Sequence, residues 1–238
     1  MAVQQNLPTR NADSNTAAAP SRADAYLGAM VTPLNGGNLG AAIEGSYFVG
    51  ITPTSGTGVI GHAAPTTFDE TKPYLLLYNS STTKYIYPQF ITFNETVASV
   101  GGTAMRFVPC VDNTNRYSSA GSDLTVSNAN GGSSTATVAT TAKVGAVVAA
   151  AATGARRNYG DVVFRGTTID IIGDNYTIVF GAPTTNGGAT SKVATLIDSS
   201  RVAPPIAVGP GQSFLLHQWA ASQSTGPTFQ VMMGWIER

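Results

Sequence analysis

Two histidines, His62 and His217, and one cysteine, Cys110, are all that the 238 residues offer for imidazole or thiol chemistry. A Ser–His–Asp relay, a Cys–His pair or a zinc site needs at least one of these imidazoles beside suitable partners. His217 lies in the run Phe214-Leu215-Leu216-His217-Gln218-Trp219, where a hydrogen-bonded strand histidine is the simpler reading. His62 falls in a loop and is expected to be solvated. Cys110 sits in an apolar run, 105–111, and without a second cysteine it can form neither an intrachain disulfide nor a cysteine metal site. The patterns G-x-S-x-G, H-E-x-x-H and the P-loop do not occur. Gly56-Thr57-Gly58-Val59-Ile60-Gly61 matches G-x-G-x-x-G literally, but a dinucleotide site needs it between a strand and a helix. Pro53 before it and His62-Ala63-Ala64-Pro65 after it leave no such helix, so it reads as a flexible glycine loop.

The acidic residues are scattered. Asp170 and Asp174 bracket Ile171-Ile172-Gly173, while Asp69 and Glu70 are adjacent and point to opposite faces of any strand. Paired carboxylates for glycoside hydrolysis have to meet in space, and no spacing favours a pair. Asp112-Asn113-Thr114-Asn115 offers oxygen ligands of the type calcium takes but lacks the repeated Asp pattern and closing Glu of an EF-hand, so a β-turn is preferred. Asn79-Ser80-Ser81, Asn94-Glu95-Thr96 and Asn175-Tyr176-Thr177 match the glycosylation acceptor pattern and read as turn asparagines. Tyr74, Tyr78, Tyr85, Tyr87, Tyr117 and Tyr159 could line a sugar- or protein-binding face, or equally pack across strands. No catalytic, cofactor-binding or metal-ligating residue is therefore assigned, no cofactor is expected, and the chain is expected not to be an enzyme.

Lysine plus arginine and aspartate plus glutamate both number 13, and charged residues make up only 11% of the chain. About a quarter is usual. A phosphate-binding surface needs a local excess of Lys and Arg, so nucleic-acid binding is not expected; the only adjacent basic pair is Arg156–Arg157. So uncharged a surface is suited to burial against neighbours. The first residues lack the apolar centre of a secretory signal, and the small-apolar run 144–155 is shorter than the roughly 20 residues that span a bilayer. The expectation is a soluble protein made in a cytoplasm, with no membrane partner.

The elements that must position these residues are strands. Residues 1–22 carry no apolar period and read as an extended or disordered arm. Ser21-Arg22-Ala23-Asp24 resembles a capping box, and one or two helical turns are expected over 25–30. From residue 45, short runs rich in Val, Ile, Tyr, Phe and Thr alternate with turn clusters such as Asn79-Ser80-Ser81, Gly101-Gly102 and Gly209-Pro210-Gly211. Strands are predicted at 46–51, 74–79, 84–93, 104–111, 124–127, 135–140, 144–150, 161–164, 168–172, 176–180, 192–197, 213–220 and 228–236. In 84–93, Tyr85, Tyr87, Gln89, Ile91 and Phe93 are expected on one face and Ile86, Pro88, Phe90 and Thr92 on the other, with an edge or a bulge at Pro88. Residues 128–134 read as a hairpin loop. The last two strands read as an antiparallel hairpin holding both tryptophans, Trp219 and Trp235, in the core. One domain, 23–238, is expected: an all-β sandwich, with a jelly roll as first choice.

Several stretches resemble structural proteins of tailed-phage virions. They are Tyr74-Leu75-Leu76-Leu77-Tyr78-Asn79 followed by Lys84-Tyr85-Ile86-Tyr87-Pro88, Arg116-Tyr117-Ser118-Ser119, Ile172-Gly173-Asp174-Asn175-Tyr176, Pro210-Gly211-Gln212-Ser213-Phe214 and the closing Gly234-Trp235-Ile236-Glu237-Arg238. The resemblance implies a virion component with a β-sandwich or jelly-roll domain, often trimeric, whose arm laces subunits together. The leading expectation is a capsid decoration (cement) or minor capsid component, bound to the major capsid protein or other virion proteins. The rivals are a carbohydrate- or receptor-binding module of a spike or fibre, and a hydrolase with an unrecognised carboxylate pair.

Overall fold

Recurring apolar side chains build long strands whose inward rows are buried where two sheets close over them, and the central strands bury residues on both faces. The computed structural model describes residues 37–63, 65–152, 156–165, 169–181, 190–193 and 196–238. The expected arm, 1–22, and the helical turns at 25–30 lie outside the described residues. Asn38–Arg238 forms one compact unit.

A short helix, α1 (Gly37–Ile43), leads into β1 (Tyr47–Ile51), β2 (Val59–Ile60), β3 (Pro73–Asn79), β4 (Ile86–Val97) and β5 (Val100–Asp112). Then come β6 (Tyr117–Asp123), β7 (Thr125–Asn128), β8 (Ala139–Ala149), β9 (Arg157–Asn158) and β10 (Val162–Phe164). The last are β11 (Asn175–Phe180), β12 (Thr190–Val193), β13 (Leu196–Ala203), β14 (Ser213–Thr225) and β15 (Thr228–Glu237). One sheet runs β12-β13-β11-β4-β15-β1-β7, with β2 added to β15; the other runs β10-β5-β14-β3-β8-β6, with β9 added to β5. The β11–β13 pair is parallel and the other pairs are antiparallel. The expected all-β sandwich is the observed architecture.

The core between the sheets is aromatic. Phe93 stacks tilted on Phe107 at 4.7 Å and meets Phe229 edge-on at 5.5 Å; Tyr74 approaches Phe229 at 5.7 Å, and Phe164 meets Tyr176 at 4.9 Å. Trp235 is fully buried, stacks on Phe48 at 6.1 Å and donates its indole N–H to Glu237 Oε1 at 2.9 Å. Next to it, Gly234 lets the strands close up: a Cβ there would lie 2.5 Å from both Phe90 Cε1 and Tyr47 Oη.

Five expectations need correction. The last two strands are no hairpin: β14 lies between β3 and β5 in one sheet, β15 between β1 and β4 in the other, and the turn at Gly226-Pro227 arches between layers. Both strands bury consecutive residues on both faces, β14 over 213–218 and β15 over 233–237, which suits the centre of a sheet. Residues 128–134 likewise cross between sheets, since β7 pairs with β1 and β8 with β3. The described part of 168–172 is loop and turn, because Asp174 captures the backbone: its amide donates to Ile171 O at 3.0 Å and its Oδ2 accepts from Ile171 N at 3.0 Å. The faces expected for 84–93 hold only in part. Register slips opposite Gly234/Trp235, where Gly234 faces Phe90 and Trp235 faces Pro88, so Gln89 bulges. Beyond a one-residue bulge every side chain changes face, and Ile86 and Pro88 point inward together with Ile91 and Phe93. Finally, Trp219 is only partly buried, packed on the outer side of its sheet edge-on to Phe68 at 5.6 Å.

The two tryptophans should therefore differ. Trp235→Ala should destabilise by about 3–5 kcal/mol, the range for a fully buried large aromatic, and Trp219→Ala by about 1–2 kcal/mol. Urea unfolding of both variants checks this; equal losses would contradict the assignment.

Candidate functional site

Among the described residues, three places gather side chains capable of chemistry. The first is a buried cluster at the turn before β11. Arg165 grips Asp174 bidentately, Nε to Oδ2 at 2.7 Å and Nη2 to Oδ1 at 2.6 Å, and the Tyr176 hydroxyl donates to Oδ2 at 2.7 Å. Asp170 accepts from Ser99 N at 2.9 Å and from the Ser99 hydroxyl. Glu95, on β4, is 1% exposed, and neither of its carboxyl oxygens has a hydrogen-bond partner. Burial first, then the neighbouring Asp170 and Asp174, push Glu95 up to about 11. A carboxyl kept neutral within a group of carboxyls is what acid–base catalysis uses. Here Glu95, Asp170 and Asp174 are all buried and Asp174 is saturated by donors, so no substrate reaches them. The fold thus brings together carboxylates that sequence spacing left apart, but as a closed ion cluster.

The second place is on the outer side of the β5–β14 pair. Cys110 Sγ lies 3.6 Å from His217 Nδ1 and donates to Asn158 Oδ1 at 3.1 Å. His217 Nε2 faces Glu70 O at 3.4 Å, which puts the ring proton on Nε2 and leaves Nδ1 toward the thiol. The types and order are those of a cysteine nucleophile with its base. Burial defeats it: desolvation pushes the thiol up to about 12 and the imidazole down to about 4, so both stay neutral. Phe68 lies over the His217 ring at 4.7 Å, and the Arg156 guanidinium covers Phe68 at 4.7 Å. A pocket of about 120 Å³ between Pro65, Asp69, Lys72 and Trp219 reaches this edge. His62, expected to be solvated, is half-buried, with Nε2 2.8 Å from Val147 O and 3.2 Å from Pro73 O, and burial lowers its pKa. The glycine motif before it contains β2, which pairs with β15 instead of leading to a helix.

The third place is open. Where β4 begins and β5 ends, Tyr85, Asn113, Arg156, Arg157, Tyr159 and Gln212 surround a pocket of about 420 Å³ floored by Val111. That volume is within the ~300–1,000 Å³ of small-molecule sites. β9 hangs on β5 through Val111↔Arg157, which turns the Arg157 side chain to the rim. Tyr85 is held by a backbone pair to Arg238, N to O at 2.6 Å, and stacks on Tyr87 at 6.2 Å. The remaining candidate tyrosines divide: Tyr74 is core, its hydroxyl on Val59 O at 2.8 Å, while Tyr78 and Tyr117 pack on the outer cluster of the second sheet. Asp112 is committed to the fully buried Arg116 at 2.6 Å, and buried Asn79 donates to three carbonyls, those of Lys84, Val208 and Gly209, as a turn asparagine does.

Two outcomes check the closed sites. Glu95 is raised in the fold, so its contribution to stability is complete below about pH 4.5 and is lost as pH climbs toward 11. Glu95→Gln should therefore flatten the decline of stability between pH 5 and pH 8, a slope of up to about 1.4 kcal/mol per pH unit, and raise stability at pH 8. An unchanged slope would show that Glu95 ionises in the fold. Cys110 should resist a thiol reagent such as Ellman's at pH 8 and label on unfolding in urea; fast labelling of the native protein would show an accessible thiolate. No family model, curated protein or solved structure matches this chain.

Proposed function

We propose that the chain is a virion structural protein, a capsid decoration or minor capsid component, that works by burying surface against copies of itself and against other virion proteins, with a trimer as the expected unit. Strand order supports the architectural half of this reading. With β2, β6, β7, β8, β9, β12 and β13 set aside, β1-β15-β4-β11 faces β3-β14-β5-β10, the neighbour order of two interleaved Greek keys. We read this order as a jelly roll, a layout common among capsid domains and also among lectins, so the fold alone does not choose the role.

The observation that carries the assembly half is where exposed apolar side chains gather. Ile60 and Val97 flank Thr228 from the two adjacent strands, and Val100 follows opposite Thr225, all at the end of the sandwich where β14 arches into β15. Val97 and Val100 are 54% and 58% exposed. Ile169 and Ile172 join this end, since Asp170 is bonded to Ser99 and Gly173 N to Glu95 O. A rim of β-branched side chains with few charges can be desolvated without stranding ions.

Sedimentation should find the protein oligomeric. Val97→Asp with Val100→Asp should shift it to smaller species while leaving the thermal transition within a few degrees, because neither side chain is in the core. The same substitutions should weaken incorporation into particles. A monomer at high concentration that is also missing from purified particles would overturn the reading.

A further inference from the structure

We propose that the pocket beside Tyr85 binds a carboxylate-bearing saccharide, such as a sialic or uronic acid unit of a glycan. The inference is independent of the assembly reading, because every lining side chain comes from a single chain.

Charge selects the ligand class. Among the described residues, no Asp or Glu lines the pocket. Arg156 is already neutralised by Glu70 at 2.7 Å, whereas Arg157 has no ion-pair partner among the described residues. One uncompensated guanidinium presents a fork that matches a single carboxylate. It falls short of the several cations that a nucleic-acid backbone or a polyphosphate demands.

Shape and polarity point to a sugar in place of a simple anion. Tyr85 is 43% exposed, yet its ring is fixed from behind by Tyr87 and by Gly209, where a Cβ would already lie 3.3 Å from Tyr85 Cε1. Tyr159 is pinned from the other side, its backbone N donating to Pro109 O at 2.9 Å while its ring packs on the core. Rigid tyrosines offer amphipathic area at low entropic cost, suited to the C–H face of a pyranose. Gln212 accepts from Gly209 N through Oε1 at 2.7 Å, which orients the amide and leaves its Nε2 to donate to a hydroxyl. Asn113 is exposed on the facing wall. The set comprises one uncompensated cation, two amides, two aromatic faces and an apolar floor at Val111.

The test uses the full chain and NMR or calorimetric titration with 3′-sialyllactose and with digalacturonate, against lactose, inorganic phosphate and a short single-stranded oligonucleotide. Either acidic saccharide should bind more tightly than lactose and phosphate. Arg157→Gln and Tyr85→Ala should each weaken that binding at least about tenfold, as loss of one charge-assisted contact implies, with melting temperature unchanged. Equal binding of lactose would remove the role of Arg157. Phosphate binding as well as the saccharides would reduce the site to an anion contact, and an oligonucleotide binding in their place would reassign it to nucleic acid. No binding, or binding indifferent to both substitutions, would overturn the proposal.

Discussion

The structure depends on one packing constraint: six aromatic rings meeting between two sheets. Tyr74, Phe107 and Phe164 come from three strands of one sheet, and Phe93, Tyr176 and Phe229 from three strands of the other. Centroid separations between 4.7 and 6.3 Å keep them in the edge-on and tilted arrangements that rings prefer. Sheets about 10 Å apart leave room for one such interdigitated layer and no more. The polar features are fastened to it. Tyr176 carries the Asp174–Arg165 pair by its hydroxyl, and Tyr74 holds β2 through Val59 O. With only 11% charged residues and one cysteine, the chain has little else to define its interior.

Desolvation decides which of the chemically suggestive groups can act. Cys110 with His217, and Glu95 with Asp170, have the composition of reactive pairs, but each is enclosed, and enclosure favours the neutral partner in both. The buried Arg116–Asp112 pair shows the complementary case. There the guanidinium also donates to Ala150 O and Glu70 O, so charge inside the fold is spent on fastening loops. The Tyr85 pocket, by contrast, leaves a guanidinium, amides and aromatic faces in contact with solvent.

Strand positions were legible in the sequence because apolar alternation and turn chemistry are local. The runs at 46–51, 74–79 and 176–180 match β1, β3 and β11 to within a residue. Partners were not legible. β14 and β15 are joined by a short turn, which locally resembles a hairpin, yet each is claimed by strands more than a hundred residues earlier. Cys110 and His217 are 107 positions apart and meet only because β5 lies beside β14. The bulge at Gln89 was signalled by Pro88, but its effect on facing required the register opposite Gly234. The tyrosines were visible as candidates; which of them stay exposed depends on the layer each strand joins.

The placement of β1 beside β15 has a mechanical consequence. The two are antiparallel, with Tyr47 opposite Ile236, so β1 begins and β15 finishes at the same end of the sandwich. Tension applied through Tyr47 and Glu237 loads their ladder one hydrogen bond at a time, as a zip, instead of stretching all of the bonds together in shear. A body attached by its two chain ends would peel at low force. Attached through its sheet edges or the arch between β14 and β15, it would put the aromatic layer under load as a unit.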